Sequence, residues 1–313
     1  MCPSQRALSS LLRSPTGSAS HIWTTAEQFG SRAAATSVGL QPGKRCKECF
    51  KALRSLLSYH RFLAKNRAAV NSELRFDVDI GSVKSMLRSG APTLTERQSK
   101  QVLAHYGIPV TAEFLAPNAD EAVSVANRLG YPVVLKIESP EIAHKTEARG
   151  VEIGVSSDEA VRAAYERIIA NAKAYNPTAQ LNGVLVQEMI RGGREMIIGM
   201  TQDPQWGPMI VVGLGGIFVE VLKDISARIA PLGRDDVEEM LRELKSAKIF
   251  QSFRGQAAAD VDAIIDIVMR FAQLCIDLKE EIQEIDINPL LVFDQGKGVK
   301  VADCLMTRRM AAK

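Results

Sequence analysis

From Thr93 onward the chain repeats one plan, a capped helix stopped by a glycine, and this punctuation limits the fold more than any other feature. In "TLTERQSKQVLAHYGIPV" Thr95 and Gln98 have capping-box spacing, and Gly107 with Pro109 beyond it closes the helix. In "NADEAVSVANRLGYPVVLKI" Asn118 is the N-cap candidate and Gly130 the stop, after which an apolar strand runs from Val133 to Ile137. "SDEAVRAAYERIIANAKAYN" reads as a further helix. "GVLVQEM" and "REMIIGM" read as neighbouring antiparallel strands joined through "IRGG", and "GPMIVVGLGG" as a buried strand running into a glycine turn. Two helices follow, Asp235 to Lys248 and Ala259 to Leu278, the second with Ile264, Ile265, Val268, Ala272 and Cys275 on one face. The chain then closes in a hairpin, "EIDINPLLVF" and "VKVAD", through "DQGKG". Helices interleaved with hairpins predict α+β subdomains rather than one doubly wound parallel sheet.

Charge divides the chain. Residues 1–90 carry 14 Lys and Arg against 5 Asp and Glu, whereas residues 91–313 are net acidic, so the basic pI is no argument for a nucleic-acid partner. Residues 1–47, rich in Ser, Ala, Gly and Arg, suit either a targeting peptide or a disordered extension, and residues 48–82 a basic helical linker, chiefly Cys49 to Val70. The remainder divides into an expected first subdomain at 83–188, a second at 189–307 and a tail at 308–313. No apolar run reaches the ~18 residues of a membrane span, so no membrane partner is expected. Five scattered cysteines suit a reducing, cytoplasmic location, or an organelle if residues 1–47 are a transit peptide. Cys46 and Cys49 with only His60 nearby fall short of a zinc ligand set.

Several residue groups suit phosphate and nucleotide chemistry. Lys136, ending an apolar strand, is a rigidly held point charge that fits a nucleotide phosphate, although a strand-end lysine also suits plain solvent exposure. Glu188 and Glu195, seven residues apart across the expected hairpin, could accept from ribose hydroxyls, and the backbone from Gln187 through Met189 to Ile190 could pair with an adenine edge; solvated strand carboxylates are the alternative. Gly213, Gly215 and Gly216 open a backbone path for an anion. Neither G-x-G-x-x-G nor G-x-x-x-x-G-K-[ST] occurs, which excludes the usual dinucleotide and P-loop fingerprints. Asp286 and Asn288 share one strand face, with Asp303 arriving on the return strand, a set of hard oxygens suited to magnesium. His144 and Lys145 stand in the polar stretch "ESPEIAHKTEARG" that follows the Lys136 strand.

In this order, Lys136, Glu188 with Glu195, the glycine turn and "EIDINPL" resemble an ATP-grasp fold, two α+β subdomains clasping ATP. "GYPVVLKIESPEIAHKTEARGV", "GREMIIGMTQDPQWGPMIVVGLGGIFVEVLKD" and "EIDINPLLVF" further resemble the β part of NDP-forming acyl-CoA synthetases, including ADP-forming acetate–CoA ligase, over about Val83 to Met306. The resemblance implies a relay in which ATP phosphorylates His144 on a mobile loop and a CoA-binding α subunit completes acyl-CoA formation from a small carboxylic acid, in an α2β2 assembly. It implies catalytic roles for His144, Lys145 and Asp286, and ATP contacts from Lys136, Glu188, Met189, Glu195, Gly215, Gly216 and Arg228. Magnesium would fall to Asn288 and Asp303, and CoA to the partner subunit. Two departures stand out: Arg149–Gly150 where the family has paired glycines, and Cys304–Leu305 after Asp303 where small or basic residues are usual. A regulatory ATP-binding module and a succinate–CoA ligase-like subunit are the competing expectations.

Overall fold

A computed structural model describes residues 76–88, 92–142, 144–215, 224–252 and 257–309. The extension, the basic stretch Cys49 to Val70, the Cys46–Cys49 pair and Gly216 lie outside the described residues.

The helices start where side chains can replace the missing turn of backbone bonds. After α1 (Ile80–Arg88), α2 (Glu96–His105) opens on a reciprocal box: the Gln98 N–H donates to the Thr95 hydroxyl at 3.4 Å, and the Thr95 N–H to the Gln98 side chain at 3.0 Å. After β1 (Glu113–Ala116), Asn118 caps α3 (Ala119–Leu129), which ends at Gly130 with φ +86°. β2 (Val133–Glu138) and β3 (Val151–Val155) follow, then α4 (Asp158–Tyr175), capped by Ser157, and β4 (Gly183–Glu188). These four strands form one antiparallel sheet in the order β1-β4-β2-β3.

β2 has two different faces, as a strand's period of two dictates. Val133, Leu135 and Ile137 pack with Val123 and Ala126 of α3 and with Val161, Ala164 and Ile168 of α4. The alternate residues Lys136 and Glu138 point the other way and are nonetheless buried, because α2 covers that face.

The second sheet contains β5 (Arg194–Asp203), β6 (Gly207–Leu214), β7 (Ile225–Ile229), β8 (Ile282–Val292), β9 (Val299–Val301) and β10 (Cys304–Arg308). Its order is β10-β8-β5-β6-β7, with β9 also paired to β8. Between β7 and β8 lie α5 (Arg234–Glu243), a 3₁₀ turn (Ala247–Phe250) and α6 (Val261–Asp277), which buries Ile264, Ile265, Val268, Ala272 and Cys275 as its periodicity predicts. The single helix expected from Asp235 to Lys248 is broken because the Lys245 and Ser246 N–H groups turn to the buried Asp224 carboxylate, at 2.7 and 2.8 Å.

Two expectations are corrected. β4 and β5 are not a hairpin: β4 pairs with β1 and β2, β5 with β6 and β8. Val184 and Val186 are buried with α3 and α4, whereas Met196, Ile198 and Met200 belong to the other core, so "MIRGG" crosses between sheets, with Gly192 and Gly193 at φ +75° and +92°. α1 and α2 also leave the first subdomain: Val83, Leu87, Val102, Leu103 and Tyr106 enter the core of the second sheet. The chain then threads back along β9, where the Thr111 N–H donates to the Val301 carbonyl at 3.0 Å.

Candidate active site

At the seam between the sheets, one carboxylate gathers three lysines. Glu96, in the first turn of α2, accepts from Lys100 (2.8 Å) and Lys136 (2.6 Å) on Oε1 and pairs with Lys145 (3.0 Å) on Oε2. Burial alone would raise the Glu96 pKa, yet the three cations outweigh it and hold the carboxyl far below the usual range. Lys100 also donates to Thr111 (2.9 Å), Glu113 (2.6 Å) and Gln187 (3.2 Å), tying α2 to β1 and β4. Burial opposes its charge, but Glu96 and Glu113 together lift its pKa. On the other side Lys136 donates to the Ala302 carbonyl (3.2 Å) and lies 3.6 Å from Asp303. A strand lysine of the first sheet thus meets the metal-candidate end of the second.

Asp303 faces Asn288, whose N–H donates to the Asp303 carbonyl at 3.2 Å. Along β8 the apolar Ile285 and Ile287 are buried while Glu284, Asp286 and Asn288 share the open face. Asp286 is exposed on that face; partial desolvation, then the charges of Glu284 and Asp303, push its carboxyl up. Among the described residues no three His, Cys, Asp or Glu side chains cluster as a metal cage. Asn288 and Asp303 still fit magnesium, which takes one or two protein oxygens and completes its octahedron with phosphate and water.

The loop between β2 and β3 holds His144. Ile142 and Ala148 are buried and His144 between them is exposed. The loop closes through the Gly150 N–H to the Lys145 carbonyl (2.8 Å) and the Ala148 N–H to the His144 carbonyl (3.3 Å). A side chain at Gly150 would strike Ile137 of β2 at 2.6 Å, so glycine is required there. Arg149 sits at φ +48°, the left-handed region that favours glycine, and the Asn171 amide donates to its carbonyl at 3.0 Å.

The remaining candidates are spread around this centre. Glu188, at the end of β4, accepts on Oε1 from the Ala112 N–H (2.7 Å) and the Lys300 ammonium of β9 (2.8 Å), while Met189 is half-buried at the start of the crossing. Glu195, exposed on β5, accepts on its carbonyl from the Gly215 N–H at 2.8 Å. A Cβ on Gly215 would stand 2.9 Å from that of Glu195. Arg228 on β7 is engaged elsewhere, its guanidinium held by both oxygens of Glu243 at 2.7 and 3.0 Å.

A family model described as the ATP-grasp domain matches residues 85–307. The chain belongs to the ATP-grasp family. Within it, this ATP-grasp chain groups with the NDP-forming acyl-CoA synthetases. It is 43% identical to the beta subunit of acetate–CoA ligase [ADP-forming] II of Pyrococcus furiosus, over 71% of this chain and 94% of that one. It is 39% identical to the 4-hydroxybutyrate–CoA ligase [ADP-forming] of Nitrosopumilus maritimus over 80% of this chain, but spans only 36% of that longer protein. Among solved structures, acetyl-coenzyme A synthetase 1 of Ca. Korarchaeum cryptofilum with coenzyme A and Ca-AMPCP shares 41% identity at a TM-score of 0.69, covering 73% of this chain and 99% of that one. The same synthetase with Mg-AMPPCP, its phosphohistidine segment pointing towards the nucleotide binding site, shares 40% at a TM-score of 0.61, over 70% of this chain and 94% of that one.

In this ATP-grasp chain the structure therefore brings together Lys136, Lys145, Asn288 and Asp303, while Arg228 is paired with Glu243. Sequence reasoning missed Glu96, Lys100, Glu113 and Lys300. The signal for the first two was available: Glu96 and Lys100 stand four apart on the helix flank that also carries the buried Ser99.

Proposed function

We propose that this chain is the ATP-binding β subunit of an ADP-forming acid–CoA ligase, in which His144 takes a phosphoryl group from ATP and carries it to a CoA-binding α subunit. The observation that carries this reading is the exposed His144 on a loop whose next residue, Lys145, is tied to the Glu96 carboxylate shared with Lys136. The relatives support it, since a separate beta subunit of about this extent occurs in an ADP-forming acetate–CoA ligase.

An unprotonated ring nitrogen of His144 attacks the γ-phosphorus. The nitrogen–phosphorus bond forms as the bond from phosphorus to the β,γ-bridging oxygen breaks, and ADP leaves with that electron pair. The Lys136 ammonium, rigid on β2, offsets charge on the phosphates. Asn288 and Asp303 supply the protein oxygens for magnesium, which when bound spreads the charge of the triphosphate. Glu188, Met189 and Glu195 flank the crossing between sheets and bind the nucleoside end. Asp286, on the same face as Asn288, receives the histidine side of the transfer. The loop then presents phosphorylated His144 to the α subunit of an α2β2 assembly, where the nitrogen–phosphorus bond breaks as the phosphoryl group passes to the oxygen of a small carboxylic acid, and the CoA thiol then displaces it as inorganic phosphate to form the thioester.

The test is reconstitution. The full chain, its α partner, ATP with magnesium, CoA and a panel of small acids including acetate should give ADP and acyl-CoA only when both subunits are present. Absence of acyl-CoA with every acid, both subunits being folded, overturns the proposal.

A further inference from the structure

Three lysines on one carboxylate are more than charge balance requires, and they differ in how firmly they are held. Lys100 has Thr111, Glu113 and Gln187 besides Glu96, and Lys136 is fixed in a strand paired on both sides. Lys145 stands on a loop, and among the described residues Glu96 is the one carboxylate within ion-pair distance of its ammonium. The pairing is mutual: among the described residues Lys145 is the one cation within ion-pair distance of Glu96 Oε2, a buried oxygen that otherwise has no hydrogen-bond partner, and Glu96 is only 2% exposed, so water has little access to replace it.

We infer that the Glu96–Lys145 pair is the tether that holds the His144 loop in its inward position, with Glu96 a positioning residue shared between the loop and Lys136. This rests on the reading that His144 carries phosphate. Swinging the loop outward leaves a buried carboxylate oxygen unpaired, which is costly, so the loop stays inward while His144 is unmodified. A phosphoryl dianion on His144 gives Lys145 a competing anion one residue away and loosens its hold on Glu96. The tether therefore favours receipt of phosphate and weakens once phosphate has been received. Lys145 acts here by fixing the loop, whereas a direct phosphate contact would make it independent of Glu96.

The experiment measures the initial rate of protein labelling by [γ-³²P]ATP with magnesium, and the KM for ATP, in the full chain. Wild type labels. Lys145→Met lowers the maximal rate about ten- to hundredfold, the worth of one buried ion-pair contact, with KM changed less than about twofold. Lys145→Arg recovers most of the rate. The Glu96→Gln/Lys145→Met double variant is no slower than the slower single, because both remove the same contact. A wild-type rate in Lys145→Met, an arginine no better than methionine, or defects that multiply in the double variant overturns the tether while leaving the relay intact. Should Glu96→Gln fail to fold, Glu96→Asp, which shortens the reach to Lys145, takes its place in the double-variant comparison, with the same outcomes expected and excluded. An unlabelled wild type removes the phosphohistidine reading and the tether together.

Discussion

Lys100→Met tests whether the seam between the sheets is held by charge. Methionine keeps most of the stem volume but removes an ammonium with four acceptors, Glu96 at 2.8 Å, Thr111 at 2.9 Å, Glu113 at 2.6 Å and Gln187 at 3.2 Å. Glu96 keeps Lys136 and Lys145, whereas Glu113 loses the one ion-pair partner it has among the described residues. Breaking a buried pair from one side costs about 3–5 kcal/mol. For a fold of this size that is a fall in Tm of roughly 6–20 °C. The pH dependence identifies the source. Burial already raises the Glu113 pKa above the ordinary glutamate value of about 4.5, with Lys100 opposing, and loss of Lys100 raises it further. A carboxyl with a raised folded pKa pays for its charge above that pKa and not below the unfolded one. The deficit of Lys100→Met is therefore full at neutral pH and shrinks as the pH falls through the new Glu113 pKa towards about 4.5. Urea unfolding of wild type, Lys100→Met and Lys100→Met/Glu113→Gln, at pH 5 and pH 7.5, measures this. A deficit below about 1 kcal/mol at pH 7.5, or one equal at both pH values, refutes the reasoning.

Arg149→Gly should stabilise by roughly 0.5–1 kcal/mol in the same unfolding assay, because the left-handed penalty of a side chain at φ +48° exceeds the added chain entropy of glycine; a loss of stability contradicts it. Glu138, fully buried, with no well-formed hydrogen bond to either carboxylate oxygen and Arg97 only at 3.6 Å, has its pKa raised by burial, which outweighs the nearby Thr95 hydroxyl and Arg97. Glu138→Gln should therefore gain about 1 kcal/mol at neutral pH, and the gain should vanish as pH falls to where Glu138 is already neutral. Gly215→Ala should weaken ATP binding by about tenfold in calorimetry, since its methyl meets the Glu195 Cβ at 2.9 Å and displaces the strand beside the nucleoside end; an unchanged Kd places the nucleotide elsewhere.

Local signals were legible and long-range burial was not. The Thr95, Asn118 and Ser157 caps, the Gly107 and Gly130 stops and the open face of β8 follow from rules acting within a few residues. β4 and β5 read as a hairpin because two apolar strands about a Gly–Gly pair look the same whether they bury into one core or two. β1 and β7 are only 4 and 5 residues long, too short for a pattern to emerge. Glu96 and Lys100 have the spacing of an ordinary surface pair, and become the centre of the site only because the second face of β2 closes over them. His144 was reached through its motif, whereas the tie of its neighbour Lys145 to Glu96, 49 residues earlier in the chain, needed the structure.

The most direct measurement incubates the full chain with [γ-³²P]ATP and magnesium and maps the label. The account predicts one acid-labile, base-stable phosphoryl group in the peptide containing His144, absent from His144→Ala. Label that persists in His144→Ala, or a wild type that binds ATP and stays unlabelled with and without its α partner, contradicts it.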